Sequence, residues 1–177
     1  MVYLVWVIQK MFRVEKFLNT DEVGPIDIVE ILAKHHDWDF DRLTEDQIAI
    51  KIEGSWRIYG VSLSWTSFEE SLRLTCSFDM SVPQEKVAKL MELLNLVNTK
   101  CWAGSFVFSQ DLSLMIFRYG LNLAGHASAS ALQINSMVET AISVCETYYP
   151  AFQLACWGNE SPEKALNVAF DKCYGTA

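Results

Sequence analysis

The most regular stretch of the chain runs from Ser71 to Asn98. Leu72, Leu74, Cys76, Phe78 and Met80 alternate with Arg73, Thr75, Ser77 and Asp79, the period of two that marks a half-buried strand. Ser81 stands three residues before Gln84 with Pro83 between them, which predicts a capping-box start to a helix. Val87, Leu90, Met91, Leu94 and Val97 follow at helical spacing, while Glu85, Lys86, Lys89, Glu92 and Asn95 face water. Leu93 and Leu96 widen the apolar stripe. A helix this apolar must cover a sheet on more than one side or meet a second chain. Leu93 and Leu96 are therefore expected to help form a homodimer contact.

Upstream, Pro25 suits a first helical position, and Ile28, Val29, Leu32 and Ala33 predict a short helix ending near His36. From Trp38 to Trp65 the pattern is strand. Phe40 and Leu43 lead to a polar turn at Thr44–Asp46, and Ile48, Ile50 and Ile52 alternate with Ala49 and Lys51. Gly54 and Ser55 predict a hairpin turn, after which Tyr59, Val61, Leu63 and Trp65 share one face. Beyond the helix at 84–98, Phe106 and Phe108 alternate, and Leu114, Ile116 and Arg118 lead into Leu121 and Leu123 as a second hairpin. The last third is helical, with Leu132, Met137, Val138, Ala141, Cys145 and Tyr148 recurring at three or four. Pro150 should kink or interrupt that helix, because it removes a hydrogen bond and crowds the preceding turn. Ala151–Trp157 can resume it, Gly158 suits its end, and Ser161-Pro162-Glu163 opens another helix. Helix, antiparallel strands, helix, hairpin and helices make an α+β chain. Without repeats or low-complexity linkers, the expectation is an N-terminal extension over 1–24 and a single domain over 25–177.

Composition narrows the class. A chain of 177 residues can bury roughly 70% of its unfolded surface. With 51% apolar and 12% aromatic residues, it is not disordered as a general state. A net charge of −8 opposes nucleic-acid binding, which needs a basic footprint. The exception is residues 1–20, where Lys10, Arg13 and Lys16 outnumber Glu15. The apolar run Met1–Ile8 is far short of the ~20 residues that span a bilayer. No basic region precedes it and no small-residue cleavage site follows, so it is not read as a secretory signal. Leu4, Ile8, Met11 and Phe12 opposite Lys10, Arg13 and Lys16 would suit a membrane-surface helix. The preferred reading is a packing extension, or an over-long start with Met11 as initiator. Five cysteines with no C-x-x-C pair fit buried free thiols in a reducing cytoplasm better than disulfides.

Candidate chemistry is sparse. Asp37, Asp39 and Asp41 have the opening spacing of a calcium loop, but Arg42 stands at the glycine position and Ile48 at the final glutamate. Adjacent His35 and His36 point about 100° apart on a helix and cannot grip one metal as an i, i+4 pair does. A thiol enzyme using Cys145 or Cys101 would need His126 beside the sulfur, and Cys145 lies on an apolar stripe where thiols are inert. No phosphate loop, G-x-S-x-G or H-E-x-x-H occurs, so no catalytic, cofactor or metal residue is assigned. Six tryptophans are many for this length, and tryptophan is enriched at interface hot spots. Tyr148, Tyr149 and Phe152 flank Pro150, and Trp157 lies two turns beyond Tyr149. Their spacing suits a core stripe. The functional alternative is a shallow apolar groove for a partner segment, which makes Leu93, Leu96, Tyr149, Phe152 and Trp157 the candidate protein-binding residues.

The motif order resembles the YbjN domain family, bacterial proteins often labelled sensory-transduction regulators. The matching pieces are Trp56 with Tyr59, LRLTCSFDMSVP at 72–83, LNLVN at 94–98 and WAGSF at 102–106. Phe117-Arg118 before LNLAG at 121–125, YPAFQLACWG at 149–158 and SPEKA at 161–165 complete it. The likeness covers about 25–174. The family often has an aspartate before the tyrosine matching Tyr59, where this chain has Ile58, and residues 1–20 have no recognised counterpart. The resemblance implies a fold like that of type III secretion chaperones, with helices on an antiparallel sheet and frequent pairing as dimers. It also implies a chaperone-like or regulatory role through an unidentified protein partner. A small thiol hydrolase and a peripheral membrane protein are the rival readings.

Overall fold

The computed structural model describes residues 23–125, 127–158 and 160–174. The expectations placed on residues 1–20 and on His126 lie outside them. Alternating residues build six strands: β1 (Asp39–Thr44), β2 (Gln47–Glu53), β3 (Ile58–Thr66), β4 (Ser71–Asp79), β5 (Ser105–Ser109) and β6 (Leu114–Asn122). All neighbouring pairs are antiparallel and the spatial order is β1-β2-β3-β4-β6-β5. The register lines up one apolar row, Ile50–Val61–Cys76–Phe117–Phe106, across five strands. Every member of that row is buried. The intervening positions, such as Ala49, Ser62, Thr75 and Arg118, form the opposite face, which no described element covers.

Helices close the apolar face. The helix α1 (Pro25–His35) lies over β1 to β3, and α3 (Ala131–Trp157) lies over β4 and β6. Beside β5 runs α2 (Val87–Asn98), and α4 (Pro162–Tyr174) packs on both α2 and α3. Pro25 occupies the first turn of α1 as expected, and Asp27 Oδ2 accepts from the Gly24 N–H at 3.0 Å. Arg42 ties this helix to β1, donating to Asp27 at 2.7 Å and Glu30 at 2.9 Å. At the other end of α1, Trp38 N donates to Ala33 O at 3.0 Å and Asp37 takes a left-handed φ of 54°. Asp37 therefore serves as a helix-terminating residue.

Three expectations need correction. The capping box at Ser81 does not form. A 3₁₀ turn, Gln84–Lys86, precedes α2 with no side-chain cap. Pro83 sets that turn by accepting the Lys86 N–H at 2.8 Å, while the Gln84 side chain accepts from Gln110 at 2.8 Å. Next, α3 is continuous through Pro150. That excludes the expected interruption: the ring removes the N–H that would reach the Glu146 carbonyl, but Pro150 is buried with Tyr149, Ala151 and Phe152 in the helix's core-facing stretch, and the helix runs on to Trp157. Finally, Leu93 is fully buried in this chain's own core and Leu96 is half-buried against it. Within the chain, the extra width of the α2 stripe packs against α3 and α4.

Asn98, the last residue of α2, also closes an edge. Its side chain donates to Phe106 O at 3.0 Å and accepts from Phe106 N at 2.7 Å, as a neighbouring strand would.

Candidate protein-binding groove

The hairpin between β2 and β3 reaches over to the middle of α3. Gly54 N donates to Arg57 O at 2.8 Å and closes the turn. A Cβ at Gly54 would overlap the Glu146 carboxylate and the Tyr59 ring, so only glycine allows this approach. Glu146 Oε1 accepts from Tyr59 Oη at 2.7 Å and from Trp56 N at 3.3 Å. Burial, together with Glu146, holds the Tyr59 hydroxyl well above its usual range. One turn along α3, Tyr149 Oη accepts from Arg57 Nε at 2.8 Å and Gln153 Nε2 at 2.9 Å. Trp56 stacks toward the Tyr149 ring with centroids 6.0 Å apart.

These bonds fix one wall of a groove whose volume is about 600 Å³. Trp56, Pro150, Gln153, Leu154, Trp157 and, from α4, Val168 line it. Trp56 is 43% exposed and Trp157 is 51% exposed. Their indoles are large apolar surfaces with one donor each, the side-chain chemistry of an interface anchor.

The expected residues fall on both sides of this surface. Trp157 lines the groove. Tyr149, 3% exposed, and Phe152, 0% exposed, lie in the core, as does Leu93. Those three offer no surface to a partner and are withdrawn as contact residues. The aromatic ring of Phe152 packs instead on Phe106, with centroids 5.1 Å apart. Trp56, Gln153, Leu154 and Val168 were not foreseen as a set. The one available signal was a bulky indole placed inside a tight turn at Gly54-Ser55-Trp56.

Nucleophilic chemistry finds no support in the thiols. Cys145 is fully buried, and contact with Cys76 together with burial pushes its thiol far up. Burial pushes Cys101 up to about 11. Both move away from the thiolate that a nucleophile requires. Among the described residues, no three ligating side chains cluster as a metal site, and no helix is long and apolar enough to cross a membrane. Asp37, Asp39 and Asp41 are all solvent-exposed. His36 meets Asn135 Oδ1 at 3.1 Å across the α1–α3 contact.

A family model described as "YbjN: Putative bacterial sensory transduction regulator" matches residues 25–154. Among solved structures, the chain is similar to the crystal structure of YbjN from E. coli, described as "a putative transcription regulator". The TM-score is 0.51 at 9% identity, over 84% of this chain and 94% of that one. That similarity shows a shared α+β fold. No curated protein matches the sequence.

Proposed function

The chain belongs to the YbjN family, and from that premise we propose that it is a non-enzymatic regulator that binds a polypeptide partner in the groove beside Trp157. The observation that supports the reading is that two half-exposed indoles, Trp56 and Trp157, line one largely apolar groove beside α3. An extended or helical segment with one or two large apolar anchors fits such a surface, and anchors of this kind carry most of the affinity. Excess acidic charge outside residues 1–20 favours a segment flanked by lysine or arginine. The raised thiols disfavour the thiol-hydrolase alternative.

The test is capture of basic-flanked apolar peptides from an array, followed by affinity measurement in solution. Trp157→Ala should weaken the selected peptides about tenfold or more. Its thermal midpoint should stay within a few degrees of wild type, because the side chain is half exposed. Equal affinity of Trp157→Ala and wild type for every captured peptide would remove the groove from the function.

A further inference from the structure

Cys76 and Cys145 are separated by 69 residues, yet their sulfurs lie 3.6 Å apart. Cys76 occupies the core-facing row of β4, between Val61 and Phe117, and Cys145 faces it from α3. Both are free thiols with no exposed surface. Their sulfurs meet where α3 packs on β4. A disulfide needs a sulfur separation of about 2.05 Å, so the pair must close by only about 1.5 Å.

We propose that Cys76 and Cys145 are a peroxide-oxidisable pair whose disulfide staples α3 to the centre of the sheet. Hydrogen peroxide is neutral and little larger than water, so even a small, brief opening of the contact admits it where bulky reagents stay excluded. One thiol gives up its proton and attacks a peroxide oxygen as the thiolate; the O–O bond breaks, the departing hydroxide takes up that proton and leaves as water, and the sulfur becomes a sulfenic acid. The second thiol then attacks that sulfur. The S–S bond forms, the S–O bond breaks, and a second water departs with the remaining thiol proton. Two protein thiols and one peroxide give one disulfide and two waters, with two electrons passing from sulfur to oxygen. Because Cys145 is held in the neutral thiol form by Cys76 and by burial, the reaction waits on opening of α3 and is slow in the closed protein. Cys145 stands little more than one helical turn before Pro150. Oxidation would therefore stiffen the helix just ahead of the groove, although the pairing itself does not depend on the groove's role.

The experiment treats the full-length reduced protein with millimolar hydrogen peroxide, then denatures it and alkylates the remaining thiols. Chymotrypsin separates Cys145 from Cys156, because Tyr148, Tyr149 and Phe152 lie between them. The expected product is a peptide joining Cys76 to Cys145, lighter by about 2 Da than its two parts. The thermal midpoint should rise by about 5 °C or more, since the bond closes a long loop. A reducing dithiol should reverse both changes, and Cys76→Ala or Cys145→Ala should abolish both. If either variant fails to fold, the wild-type peptide map decides alone. Complete alkylation of both cysteines after peroxide, separate sulfinic acids, or linkage of Cys76 to Cys101 would overturn the proposal.

Discussion

Tyr149 is closed off from solvent along its ring, while its hydroxyl accepts from Arg57 on the hairpin and Gln153 on the next turn of α3. Its ring meets Phe78 edge-on with centroids 5.5 Å apart. Removing it leaves a large void and two donors without their acceptor. Tyr149→Ala should therefore cost about 3–5 kcal/mol and sharply lower the midpoint of urea unfolding. A variant as stable as wild type would mean that Tyr149 is a surface residue after all. The helical period placed Tyr148, Tyr149, Phe152 and Trp157 on roughly one side, and that much is legible in the sequence. Which of the four faces solvent depends on where α3 outruns the sheet. Trp157 is its last residue before Gly158, beyond the core that covers Tyr149 and Phe152. Trp56 belongs to a turn, where no periodicity can report a neighbour 90 residues away.

At the scale of elements, strands with strict alternation were legible in type and in which residues point inward. Leu72, Leu74, Cys76 and Phe78 are all buried, and so are Ile48, Ile50 and Ile52. Their spatial order was not, because alternation marks a face and is silent on which strand sits beside it. The hairpin β5–β6 enters the sheet through its second strand, leaving β5 outside. The same blindness explains Leu93: α2 has two helical neighbours that no local pattern could announce. The layer these helices form is expected to lose stability in alkali. Burial pushes Cys156, on α3, up to about 11, an effect only partly offset by Lys86 and Lys89 near the start of α2. Cys101, just after α2, is pushed up to about 11 as well. In the unfolded chain both thiols ionise near 9. Their contribution is thus fully present below pH 9 and is lost as pH rises to about 11. The melting temperature should fall across that window. Cys156→Ala should remove a share on the order of 2 kcal/mol of the change. A flat profile between these limits would contradict the burial of both thiols.

Among the described residues, helices pack one sheet face and leave the other uncovered, and the two edges differ in how they end. At β1 the register breaks between Arg42 and Thr44, and Asp39 and Asp41 put exposed carboxylates along the outer strand. At β5 the Asn98 amide occupies both backbone groups of Phe106. Charges and irregular register are recognised ways of blunting a sheet edge. Asn98→Ala should restore a vacant donor and acceptor beside a strand that reads Ser-Phe-Val-Phe-Ser. Slow growth of light scattering and dye-binding fibrils on warming is the expected outcome, with wild type remaining clear under the same conditions. A variant that stays as clear as wild type would show that the amide is dispensable there. The side chain of Asn98 is in effect a chain terminator for the sheet, a seventh strand reduced to one amide. At this edge, a lattice of hydrogen bonds that could otherwise extend from copy to copy meets an amide already bonded to Phe106, so the predicted resistance to aggregation there turns on one residue at a helix end.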